Sequence, residues 1–129
     1  MTLTELYEDI YQRLTESEAL AALIGSKRIY DYLPDESVAG PYVVIGDTNE
    51  VEGRLINDDE RKVYIRLHIW SSYRGRSQTI AIERVIESVL MADKNNYIFD
   101  SFQVLRDNED WVHGVIVFRA YIEKGAVDQ

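Results

Sequence analysis

The feature that most constrains the fold is a strand that turns into a helix within residues 62–90. At first, aliphatic residues alternate with polar and aromatic ones, which is the pattern of a strand with one buried face. The buried row is Val63, Ile65, Leu67 and Ile69, and the opposite row is Tyr64, Arg66, His68 and Trp70. The alternation stops in the segment 70–76, and apolar residues then recur at helical spacing as Ile82, Val85, Ile86, Val89 and Leu90. This pattern predicts a strand and a helix that covers the sheet.

Further elements are predicted on both sides of this unit. The apolar stripe Leu3, Leu6, Tyr7, Ile10, Tyr11 and Leu14 indicates an opening helix with Thr2 or Thr4 as its N-cap, and we expect Tyr7 and Tyr11 to lie in the core. Thr15 and Glu18 have capping-box spacing for a second short helix that ends at Gly25. Strands are predicted over residues 28–33 and 41–46, and those over residues 102–106 and 111–123 form a hairpin.

These elements predict one α+β domain over residues 1–129. Its sheet is antiparallel or mixed, with about four to five strands, an N-terminal helical arm and one long helix packed on one face.

The last predicted strand is apolar on one side and partly apolar on the other. One row is Val112, Gly114, Ile116, Phe118, Ala120 and Ile122, and the other is Trp111, His113, Val115, Val117, Arg119 and Tyr121. A sheet with helices on one side needs only one apolar face. The surplus predicts that the second face is covered, and another subunit is the candidate.

Composition excludes several classes of protein. The chain has no cysteine, which excludes disulfides, thiolate metal sites and a thiol nucleophile, and favours a reducing compartment. The first residues lack the features of a signal peptide, and no apolar run approaches the ~20 residues that span a bilayer. We therefore expect a soluble protein with no membrane partner. The net charge of -9, without a basic stripe, disfavours nucleic acid as a required partner.

No catalytic constellation is evident. His68 and His113 stand within strands without the spacing of a metal site, so we interpret them as solvent-facing or interface residues. The acidic segment 107–110 lacks the ligand order of a calcium loop and is typical of a hairpin tip. Arg74 and Arg76 precede a helix, where an intersubunit salt bridge is favoured over phosphate binding. The sequence therefore predicts no enzyme, no cofactor and no metal.

A long acidic connection is predicted over residues 47–61. Between residues 50 and 60 it holds the five acids Glu50, Glu52, Asp58, Asp59 and Glu60 and the single base Arg54. Long loops in compact domains tend to be functional, and an acidic one can dock on a basic partner surface.

Several segments, taken in order, carry a family resemblance. They are the helical arm, the short strand at Arg28, Ile29 and Tyr30, residues 41–47 (Pro-Tyr-Val-Val-Ile-Gly-Asp), residues 67–76 (Leu-His-Ile-Trp-Ser-Ser-Tyr-Arg-Gly-Arg) and residues 113–120 (His-Gly-Val-Ile-Val-Phe-Arg-Ala). This series resembles the tail completion proteins of long-tailed bacteriophages over nearly the whole chain.

The resemblance implies a structural virion protein of a phage or prophage, assembled in the host cytoplasm and located at the head-tail interface. It implies a ring of copies, a hexamer, that caps the head-proximal end of the tail tube, ends tube polymerisation and joins the head connector. The implied partners are further copies of the chain, the tail tube protein and the head completion or connector protein. On this interpretation the interface residues are Glu50, Glu52, Arg54, Asp58, Asp59, Glu60, Trp70, Tyr73, Arg74, Arg76, Trp111 and His113.

Two other hypotheses compete with this one. A non-enzymatic regulatory or adaptor module with a ferredoxin-like sheet is the alternative, and neighbouring tail genes would argue against it. An enzyme is the least favoured, and a pocket with two convergent carboxyl groups of raised pKa would revive it.

Overall fold

A computed structural model describes residues 1–35, 37–53, 59–73, 75–93, 96–106 and 111–123. The helices within these ranges are α1 (Leu3–Thr15), α2 (Glu18–Ile24) and α3 (Ser77–Met91). The strands are β1 (Ile29–Tyr30), β2 (Tyr42–Glu52), β3 (Glu60–Ser71), β4 (Tyr97–Arg106) and β5 (Val112–Glu123). They form a sheet in the order β1-β2-β3-β5-β4, in which β1 runs parallel to β2 and all other neighbours are antiparallel. This mixed five-stranded sheet confirms the predicted α+β class.

The two N-terminal helices begin at side chains that satisfy their first backbone amides. At α1, the Thr2 hydroxyl accepts from the Glu5 N–H at 3.1 Å, and the Glu5 carboxylate accepts from the Thr2 N–H at 2.9 Å. At α2 the predicted cap was wrong, because Thr15 is the last residue of α1 and Ser17 caps α2 instead. Gly25 ends α2 with φ of 91°, as its position in the sequence predicted.

Strand lengths differ most from the sequence prediction. β1 contains only residues 29–30 instead of 28–33, whereas β4 begins at Tyr97 rather than at Phe102 and β5 at Val112 rather than at Trp111. The largest difference lies in the predicted acidic loop, because β2 continues to Glu52 and β3 already begins at Glu60. Polar side chains can extend a strand wherever the neighbouring strand satisfies the backbone, and here β2 pairs with β3 as far as Glu52 and Arg61.

The core lies between the helices and one face of the sheet. The predicted rows on β3 and β5 are confirmed, since Val63 to Ile69 and Val112 to Ile122 are buried at every second residue. α3 contacts β3, β4 and β5, and α1 contacts α3. On α1 the buried side chains are Leu6, Ile10 and Leu14, spaced four residues apart. The predicted stripe was too wide, because Tyr7 is half-buried and Tyr11 is 46% exposed.

A polar network ties α1 to the connection between α3 and β4. Arg13 donates to Asp9 at 2.7 Å and to Asp93 at 2.8 Å. The buried Tyr97 hydroxyl donates to the same Asp9 oxygen at 2.5 Å. Burial and this bond raise the pKa of Tyr97 well above its usual value, so the phenol stays protonated and holds α1 to β4.

Two polar side chains of α3 are fully buried. Thr79 Oγ1 and Glu83 Oε2 have no hydrogen-bond partner within the described part of the chain. Burial raises the pKa of Glu83, and the ion pair with Arg84 opposes this shift. None of the described helices is both long and apolar enough to cross a membrane.

Candidate functional site

The sheet face opposite the core, here called the open face, carries the second row of β3 and β5. Tyr64, Arg66, His68 and Trp70 are all half-buried, as are the odd-numbered residues from 111 to 121. These side chains cover one another rather than being covered by a further layer of helices among the described residues. The open face therefore presents half-buried side chains outward from the sheet.

Seven rings form an aromatic cluster at one end of the open face. The His113 imidazole stacks on Trp70 with 3.9 Å between ring centroids, and Trp111 contacts Trp70 edge-on at 6.1 Å. Tyr42 contacts Trp111 at 5.9 Å, and Tyr30 contacts Tyr42 at 5.6 Å. The members are Tyr30, Tyr32, Tyr42, His68, Trp70, Trp111 and His113. Three of the predicted interface residues, Trp70, Trp111 and His113, thus lie together.

The two histidines form a pair within this cluster. His68 Nδ1 and His113 Nε2 are 2.7 Å apart, so one nitrogen donates and the other accepts. Among the described residues no group of three His, Cys, Asp or Glu side chains could hold a metal ion. Each imidazole offers a ring face and a hydrogen-bonding nitrogen to the cluster.

The pairing of His68 explains a glycine in β2. A Cβ added at Gly46 would be 2.5 Å from the His68 ring. Only a residue without a side chain allows β2 to pass so close to the imidazole. Gly46 also lies at the register shift between Ile45 and Thr48, where the Tyr7 hydroxyl of α1 contacts β2.

The turn that follows β3 continues the aromatic end. Tyr73 is 55% exposed, and its backbone N–H donates to the Ser71 hydroxyl at 3.2 Å. Arg76 is exposed at the start of α3. The predicted interface residue Arg74 lies outside the described residues.

The predicted acidic residues lie at the other end of the sheet. Glu50 and Glu52 are on β2, Glu60 begins β3 and Asp59 precedes it, while Arg54 and Asp58 are outside the described residues. Arg61 Nη1 lies 3.6 Å from Glu50 Oε2. We call Glu50, Glu52, Asp59, Glu60 and Arg61 the hairpin end. Since Arg61 and Trp70 are nine residues apart on β3, about 30 Å separates this end from the aromatic cluster.

A groove that the sequence did not reveal lies beside the outer edge of β2. Its volume is about 1570 Å³, and it is lined by α1, residues 27–33, β2 and the aromatic cluster. Tyr7 of α1 lines the groove, and its hydroxyl donates to the Gly46 carbonyl at 3.1 Å. The sequence signal for this groove is the pair Tyr7 and Tyr11 on α1, whose helical spacing predicts burial in the core.

Comparison with known proteins then decides the family. The sequence model of "Tail completion protein gp17" matches residues 8–123. The chain belongs to this family. Tail completion proteins are structural components of phage tails, and the match places this chain in the virion. No curated protein sequence matches the chain.

Solved structures share the tail completion fold. A chain in the virion of the native gene transfer agent particle has a TM-score of 0.75 and 24% identity, with 88% of this chain and 91% of that chain covered. The gp17 protein of bacteriophage SPP1 has a TM-score of 0.61 and 18% identity, with 96% and 93% covered. At these identities the likeness shows a shared fold, and the family assignment rests on the sequence match.

Proposed function

We propose that this chain, acting as one tail-completion domain over residues 1–129, forms a ring of six copies on the head-proximal end of the tail tube. The ring ends tube polymerisation and presents the surface that joins the head connector. The observation that carries the proposal is the family match over residues 8–123. The role is one of surface fitting and needs no catalytic group.

The distribution of charged and aromatic side chains supports a cyclic assembly. A cyclic assembly requires two different surfaces on each copy, because each subunit contacts one neighbour with each side. The hairpin end supplies an acidic surface, and the turn with Tyr73 and Arg76 supplies an aromatic and cationic one about 30 Å away. We propose that Glu50 and Glu52 of one copy face Arg76 of the next.

The open face supports a contact with a protein other than a neighbouring copy, namely the tube or the connector. Trp70, Trp111 and His113 lie together, and tryptophan and tyrosine are enriched at protein interfaces. We assign this cluster to the contact with the tube or the connector. The net charge of -9 keeps single copies soluble until a partner surface is available.

Mass measured by light scattering, with and without purified tail tubes, tests the proposal. We expect tube ends to carry six times the 15.0 kDa of one chain. The double variant Glu50→Lys/Glu52→Lys should lose ring formation, and Arg76→Glu in the same background should partly restore it. A matched control, Glu16→Lys/Glu18→Lys, makes the same charge change on exposed residues outside the hairpin end. A chain that stays monomeric and leaves tube ends unoccupied at high concentration would contradict the proposal.

A further inference from the structure

The groove beside β2 is too large and too open for a small ligand. Small-molecule sites usually measure about 300–1,000 Å³ and enclose most of the ligand. This groove measures about 1570 Å³ and runs from α1 across the edge of β2 to Trp70. Its size and shape suit a segment of polypeptide.

The floor of the groove is a part of β2 that has no strand on its outer side among the described residues, and there the Gly46 carbonyl already accepts from the Tyr7 hydroxyl. β1 pairs with only Val43 and Val44, so beyond them no described strand lies on the outer side of β2. An exposed edge offers a row of N–H and C=O groups to which an extended segment can add as a further strand. The groove therefore provides main-chain binding in addition to side-chain contacts.

The side chains that line the groove are aromatic and acidic. Four tyrosines line it: Tyr7, Tyr11, Tyr30 and Tyr32. The carboxylates Glu8, Asp31 and Asp47 also line it, and Lys27 is the one lysine or arginine among the described lining residues. Within the described part of the chain these three carboxylates form no ion pair. Unpaired carboxylates beside tyrosine faces attract guanidinium and ammonium groups, by charge and by cation–π contact.

We propose that this groove binds an extended, arginine- or lysine-bearing segment of another protein, which adds to the edge of β2 beyond Val44. The groove is separate from the hairpin end assigned to the ring contact. A second copy of the chain is a poorer occupant, because pairing two β2 edges would align Asp47, Glu50 and Glu52 with like charges. The other sheet edge, β4, has one acid and one base and so offers no excess of cations.

A synthetic peptide with alternating arginine (Arg-Val-Arg-Thr-Arg-Val-Arg-Thr-Arg) tests the proposal on the full chain. Binding is followed by tryptophan fluorescence, since Trp70 lines the groove, and by backbone amide NMR. We expect shifts confined to α1, residues 27–33, β2 and the aromatic cluster, and no binding of the same peptide with glutamate in place of arginine. Removal of two carboxylates in Asp31→Asn/Asp47→Asn should weaken binding about tenfold. The control Glu16→Gln/Glu18→Gln has the same net charge and should bind as the parent does.

Three results would overturn the proposal. The first is absence of peptide binding, and the second is equal weakening in the control variant, which would indicate only general attraction to an acidic protein. The third is a change in self-association of Asp31→Asn/Asp47→Asn without peptide, which would make a second copy the occupant. Because no tail tube is present in this assay, its outcome is independent of the ring.

Discussion

Replacing Gly114 with alanine tests how tightly α3 packs on the sheet. Gly114 lies on β5, and an added Cβ would be 2.7 Å from Thr79 Cγ2 and 3.1 Å from Phe102 Cε1. Because Thr79 is β-branched and lies within α3, its side chain has few alternative rotamers. The extra methyl group can therefore be accommodated only if the helix and the sheet move apart.

Two opposing terms set the size of the effect. Overpacking of a core by a methyl group costs about 1–3 kcal/mol. Replacing glycine by alanine stabilises by about 0.4–1 kcal/mol through the unfolded chain, where the new residue fits. We expect Gly114→Ala to lower the free energy of unfolding by about 1–2 kcal/mol.

A second substitution separates packing from strand propensity. Thr79→Ala removes the methyl group that the new Cβ would meet and also the buried hydroxyl, which has no partner among the described residues. Lost burial and relief of that hydroxyl offset each other, so alone it should change stability by less than about 1 kcal/mol. The double variant should recover most of the loss seen in Gly114→Ala. Urea unfolding followed by far-UV circular dichroism measures all four proteins, and a double variant as unstable as Gly114→Ala would refute the packing argument.

Three further substitutions probe the buried polar groups and the histidine pair. Burial raises the pKa of Glu83 above the value of 4.5 that the group has in the unfolded chain, so its ionisation destabilises the fold as the pH rises above 4.5. Glu83→Gln should therefore be more stable than the parent at pH 8, by roughly 1 kcal/mol, and should lose this advantage near pH 4. Thermal unfolding at the two pH values measures the difference. Tyr97→Phe removes the hydrogen bond to Asp9 and should lower the free energy of unfolding by about 1.5–3 kcal/mol in urea titrations. Gly46→Ala should displace the His68 ring and change tryptophan fluorescence without loss of the fold.

Each of these has a result that would contradict it. A stability difference for Glu83→Gln that does not vary with pH would mean that ionisation of the Glu83 carboxyl group does not destabilise the fold. Tyr32→Phe is the control for Tyr97→Phe, since Tyr32 is 65% exposed and should tolerate the change. Unaltered fluorescence and imidazole NMR signals in Gly46→Ala would show that the ring has room to move.

The periodic parts of the fold were predictable because burial imposes a fixed spacing. On β3 and β5 every second residue enters the core, and the sequence shows this alternation directly. The extension of β2 to Glu52 was not predictable by the same rule, because an edge strand beyond the helices has no face to bury. Its pairing depends on backbone hydrogen bonds, which leave no trace in side-chain polarity.

The candidate site was only partly predictable for a related reason. The sequence predicts Trp70 and His113 as interface residues, and the register of β3 with β5 places them side by side. Their distance from Glu50 could not be inferred without the register of β2 with β3. The groove depends on how early β1 ends, and its end at Tyr30 rather than at residue 33 leaves no clear sequence pattern.

The order of the strands has a consequence for synthesis. β5 lies between β3 and β4, although it follows both of them in the sequence. Until it emerges from the ribosome, β4 has no neighbour and the apolar row of β3 has no partner on that side. The sheet can therefore be completed only after β5 has left the ribosome, and until then nascent chains expose the unpaired sides of β3 and β4, which favours their recognition by chaperones.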